Sequence, residues 1–191
     1  MSSAELVGWE RALVAAELVK ERLRRATKAL ETAGVPYAVA GGNAVAEWVA
    51  RIDDGAVRNT KDVNVLIRRH DFAAARAALE AAGFVYHHVW DVDTFVDGPA
   101  GKPSQGVHLL FAGEKVRSQD EHHTPQVEES ERGAEFQVVA LEGLVVASAC
   151  VVLAKHSLKW TAVRLIDALP FSSANWTKFK NSDACIVSSA N

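Results

Sequence analysis

The chain has 191 residues, room for one ordinary domain with a small appendage. At that size roughly 70% of the unfolded surface is buried, so folding needs neither disulfide nor metal. A net charge of −3 and a pI near 6.2 exclude a broadly basic footprint for nonspecific binding to nucleic acid or anionic lipid, and leave nucleic acid open only through a local basic patch.

The N-terminus, MSSAELVGWERAL, has no basic segment ahead of an apolar core, so no secretory signal is expected. The longest apolar run, Leu144 to Ala154, is interrupted by Ser148 and is too short to span a bilayer. Cys150 and Cys185 show no CxxC or Cys/His ligand spacing. A cytoplasmic protein with reduced thiols and no membrane association is expected.

Ala4 to Ala33 predicts one long helix, with Leu6, Leu13, Leu18, Leu23 and Leu30 among charged residues, ended by Gly34 and Pro36. Val35 to Ala40 reads as a buried strand, Gly42 to Arg51 as a short helix and Ile52 to Lys61 as a polar loop. A second buried strand, Val63 to Ile67, precedes an alanine-rich helix from His70 to Ala82 with its cap near His70 or Asp71. Strand-like runs follow at Phe84 to Val89, Thr94 to Val96 and Val107 to Phe111. Gly98-Pro99 and Gly101-Lys102-Pro103 punctuate the latter pair. Glu114 to Arg132 reads as a loop, Phe136 to Ala140 as a strand and Leu141 to about Lys155 as a helix. From Val146 the chain turns rich in Ser, Ala, Trp and Val, with Asp167 and Asp183 its only acids. The expected division is therefore 1–145 as the domain and 146–191 as a helical or irregular tail.

The segment with the most chemistry is Tyr37 to Arg68. An apolar strand runs into Gly41-Gly42 and a helix, and Arg58-Asn59-Thr60-Lys61-Asp62-Val63-Asn64 heads the next strand. Paired glycines let a phosphate approach backbone N–H groups at a helix N-terminus. Asp62 and Asn64 alternate on a strand, so both side chains project from one face, as two ligands of one magnesium must.

This arrangement resembles the DNA polymerase beta-like nucleotidyltransferase superfamily, in particular its minimal bacterial members of the abortive-infection and toxin–antitoxin type. The likeness lies in Ala40-Gly41-Gly42-Asn43-Ala44, in Arg58 to Asn64 and in Gly106-Val107-His108-Leu109, and covers roughly residues 35–115. It implies an α+β fold: a mixed sheet with flanking helices, preceded here by the long helix. It also implies transfer of a nucleoside monophosphate from a triphosphate to a hydroxyl, with carboxylates holding two Mg²⁺. Carried over, Gly41, Gly42 and Asn43, with Arg58 and Thr60, would hold the nucleotide. Asp62 would be the first metal ligand, Asn64 the second, and His108 would stand at the third.

Two of those three positions depart from the pattern. An amide oxygen offers no charge, and one unit charge about 4 Å from a cation is worth on the order of 4 kcal/mol of gross Coulomb energy at an effective dielectric of 20. Histidine favours a softer metal than magnesium. The reading is a nucleotidyltransferase-like protein that binds a nucleoside triphosphate with Mg²⁺ and is weakened or inactive in transfer. The alternatives are a noncatalytic antitoxin-like or regulatory protein that uses the scaffold to hold a protein partner, and an active transferase that draws a carboxylate from Asp91, Asp93, Asp97 or Glu114. His108 also reads as a half-buried structural histidine, Glu128 to Glu131 as a solvated run, and His87-His88 and His122-His123 as non-chelating neighbours.

Overall fold

A computed structural model describes residues 8–89, 92–116 and 123–145. Asp91, His122, both cysteines, the helix expected to reach Lys155 and the tail from Val146 lie outside the described residues, as does the first part of the N-terminal helix with Leu6.

The first element, α1 (Gly8–Thr32), buries Val19, Leu23, Ala26 and Leu30. Those positions repeat at four, three and four residues, one face of a helix. Leu13 and Leu18 do not join them, being 59% and 51% exposed. Steps of five residues turn 140° each, so the predicted row 13, 18, 23 winds around the helix instead of following one side. The helix ends where Gly34 takes φ +66 and two hydrogen bonds close back, from its own N–H to Glu31 and from that of Val35 to Leu30. That pair is a Schellman cap, a geometry that favours glycine.

Then come β1 (Tyr37–Ala40), α2 (Gly41–Ala50), β2 (Val63–Ile67), α3 (Phe72–Ala81), β3 (Phe84–Val89), β4 (Val92–Asp97), β5 (Val107–Phe111), β6 (Ser130–Arg132) and β7 (Gln137–Val139). The short helical turn at Arg69–Asp71 precedes α3, and residues 141–145 are again helical. The strands form one seven-stranded mixed sheet in the order β3-β4-β5-β2-β1-β7-β6. Strand β2 sits inside it, antiparallel to β1 and parallel to β5. It is continuously apolar except at Asn64, as an interior strand covered on both faces must be.

On one face Val63, Val65 and Ile67 meet Val107, Leu109 and Phe95 beneath α1 and α3. On the other, Ala38, Ala40 and Leu66 pack with Ala44 of α2 and with Val127, Val138 and Leu144. Tyr37 joins β1 to α1 by donating its hydroxyl to Glu31 at 2.7 Å. Burial and that carboxylate push the Tyr37 phenol well above the usual tyrosine range, while the same bond holds Glu31 below the usual carboxylate range.

The predicted loop from Glu114 to Arg132 contains a strand. Ser130–Arg132 pairs with β7 at the sheet edge. Its exposed Glu131 and Arg132 reach Arg51 and Glu31. A short charged edge strand carries no alternation of apolar residues that would reveal it.

Candidate functional site

The site is built where β1 runs into α2. Gly41 holds φ +61, and a Cβ there would come within 2.7 Å of Asn64 Nδ2. A Cβ on Gly42 would lie 2.8 Å from that of Thr60. Gly41 is therefore fixed by conformation and by close approach, Gly42 by close approach alone, and the sheet-side space beside the bend is filled by Thr60 and Asn64. The N-cap residue, Ala40, contributes no side-chain cap. The first N–H groups of α2 consequently depend on solvent or a ligand for their acceptors, at residues that are only half-buried.

Asp62 lies at the centre. Its Oδ1 accepts from the Thr60 hydroxyl at 2.7 Å and its Oδ2 from the Asn64 amide at 3.1 Å. The Asn43 amide donates to its backbone carbonyl at 2.9 Å, tying the first turn of α2 to the head of β2. In register, Ala40 stands opposite Asn64, Asn64 opposite His108, and His108 opposite Thr94. Paired residues share a face, so Asn64 and His108 project side by side. His108 Nδ1 lies 3.6 Å from Asp62 Oδ2 and its Nε2 2.8 Å from the Pro103 carbonyl. The fold thus brings together Gly41, Gly42, Asn43, Thr60, Asp62, Asn64 and His108. Arg58 stays apart, exposed and without an ion pair among the described residues. Pro103, the partner that orients His108, carried no signal in the sequence, because it acts through its backbone carbonyl.

Asp93, Asp97 and Glu114, the other candidate acids among the described residues, do not approach. Asp93 lies on the opposite face of β4, where it accepts from the Tyr86 hydroxyl at 2.7 Å and sits 3.0 Å from His88 Nδ1. Asp97 is bound by Arg25 at 2.5 Å and faces Arg22 at 3.8 Å, both on α1. Glu114 is engaged by Arg69 at 2.8 Å. Among the described residues no three His, Cys, Asp or Glu side chains converge. A two-magnesium centre does not fit this donor set, because Asp62 is the single carboxylate among these described residues. His87 and His88 oppose Thr94 and Asp93, so they point to opposite faces. Of the acidic run, Glu128 and Glu131 pair with Arg68 and Arg51.

The nucleotidyltransferase-like fold is shared with solved structures. The chain superposes on ANT(2'')-Ia in complex with adenylyl-2''-tobramycin at a TM-score of 0.53 and 13% identity, covering 80% of this chain and 85% of that one. A solution structure of the antibiotic-resistance factor ANT(2'')-Ia gives 0.55 and 12%, covering 79% and 83%. At these identities the likeness is one of fold. No helix among the described residues is long and apolar enough to cross a membrane. No protein-family model matches the chain, and no curated protein matches it by sequence.

Proposed function

We propose that this chain binds a nucleoside triphosphate, entering as its magnesium complex, at the Gly41-Gly42 bend, and is weakened or inactive in nucleotidyl transfer. The observation that carries the reading is the convergence of Asp62, Asn64 and His108 on one sheet face beside the uncapped N-terminus of α2. The donors of that first turn suit phosphate oxygens, and exposed Lys61, next in sequence to Asp62, supplies positive charge. One structural neighbour is in complex with adenylyl-2''-tobramycin, which makes a nucleotide the ligand class to test first. Transfer would be weak because a lone carboxylate leaves two cations and a polyphosphate undercompensated.

Titration of ATP and GTP, with and without Mg²⁺, tests this. Magnesium-dependent binding that disappears in Asp62→Ala supports the site, whereas no nucleotide binding under either condition removes the proposal. A second reading, a noncatalytic regulatory protein that holds a protein partner, draws on the packing of Thr60 and Asn64 against the bend. Exposed Trp9 and Leu13 on α1 also favour it.

A further inference from the structure

We infer that the N-terminal half of α1 is the docking face for residues 158–169 of this same chain, which lie along it as a helix. Nucleotide and metal play no part in this contact.

The buried stripe of α1 does not stop where the sheet stops covering it. Val19, Leu23, Ala26 and Leu30 are buried, and counting back from Val19 at the same steps of three and four gives Ala16, Ala12 and Trp9. Yet Trp9 is 63% exposed and Leu13 beside it 59%, while Val14 and Leu18 stand exposed on the other flank. A helical stretch as short as Gly8–Leu18 is marginal in water without a packed partner.

The fold brings the rest of the chain to this place. Arg22 and Arg25 meet Asp97, the last residue of β4, so the uncovered half of α1 runs past that end of the sheet. Register carries the same end from Phe95 through Val107 and Val63 to Ala40 and Val139, where β7 finishes. Residues 141–145 turn into a helix there, and residues 146–191 continue from them. Since α1 packs over β2 and β5, residues 146–157 must cross three strand spacings from β7, or ~14 Å. Those residues reach ~18 Å even when helical.

Chemistry and length then select the segment. Leu158, Ala162, Leu165 and Leu169 repeat at four, three and four residues ahead of Pro170. A helix over them is ~18 Å long, against ~16 Å for Gly8–Leu18. Residues 146–191 carry five basic and two acidic side chains in a chain of net charge −3, so the remainder is acidic. Glu10, Glu17 and Glu21 edge the uncovered face, and Lys159 and Arg164 bring the opposite sign to it. A second copy fits less well. The four exposed side chains offer on the order of 400 Å², so two copies would bury ~800 Å², short of the ~1,200 Å² of a stable interface. Pairing α1 with itself also sets that acidic edge against its own kind.

Hydrogen exchange of the full chain, read by mass spectrometry at several protein concentrations, tests this. Residues 8–18 should exchange ~100-fold or more slowly than an open chain, in a protein that stays monomeric. The double variant Leu165→Asp/Leu169→Asp should return them to within ~10-fold of the open rate while residues 23–30 keep their protection. Fast exchange over 8–18 in the wild type overturns the inference, as does protection that the double variant leaves unchanged. Protection that grows with protein concentration, together with a dimer mass, also overturns it and assigns the face to a second copy. Should the variant misfold, amine cross-linking of the wild-type monomer decides. A segment arriving from the sheet places Lys159 near Lys20, which is 60% exposed; a Lys20–Lys159 link within one chain supports the contact, and a monomer without that link overturns it.

Discussion

Gly41 sits where conformation, packing and the site meet, so Gly41→Ala is the most informative single change. The backbone there is left-handed, which costs an alanine about 1–2 kcal/mol. The new methyl would lie 2.7 Å from Asn64 Nδ2 and 3.2 Å from its Cβ. Asn64 must therefore move, at about 1–2 kcal/mol for the overpacked contact. Moving it also breaks the amide's bond to Asp62, worth about 1 kcal/mol after discounting for a carboxylate 31% exposed. The expected loss is about 3–5 kcal/mol in urea denaturation followed by tryptophan fluorescence. Asn64→Ala removes the amide but leaves the Cβ contact, so the double variant should cost about 1–2 kcal/mol less than the sum of the singles. Costs that simply add would mean Asn64 does not press on Gly41, and the account of the bend would fail. A cycle of this kind separates a glycine demanded by its neighbours from one demanded by a phosphate.

Asn64→Asp places a second carboxylate beside Asp62 and should tighten Mg²⁺ by about tenfold in calorimetry, a fraction of the gross Coulomb gain; unchanged affinity would show that β2 presents no metal ligands. Both tyrosines are raised, Tyr37 mainly by burial and Tyr86 mainly by its bond to Asp93. Their folded values exceed the unfolded one of about 10, so their stabilisation is complete below that pH and is lost as pH rises through the folded values. Tyrosinate absorbance should accordingly appear later in the native protein than in the urea-unfolded chain, and coincident curves would contradict this. Phe95→Ala empties a fully buried position and should cost about 3–5 kcal/mol by denaturation. Asp97→Ala leaves the buried Arg22 without its facing carboxylate and should cost about 1–3 kcal/mol, discounted because Asp97 is 41% exposed; a neutral result would show that the pair is not coupled.

Much of the fold was legible because it obeys local rules. The runs 63–67, 84–89 and 107–111 coincide with strands β2, β3 and β5, since short continuous or alternating apolar segments between turn residues have few other solutions. The Gly-Gly bend and the two-residue spacing of 62 and 64 likewise announced a shared face. Only the tertiary structure could decide the rest. That His108 stands beside Asn64 is a matter of parallel register between strands more than forty residues apart, which no local pattern encodes. It was likewise the sheet that sent Asp93 and Asp97 to the far face, toward Tyr86 and α1, and so left Asp62 without a second acid among the described residues. The sequence chose which groups this protein owns; the pairing of β2 with β5 chose which of them meet.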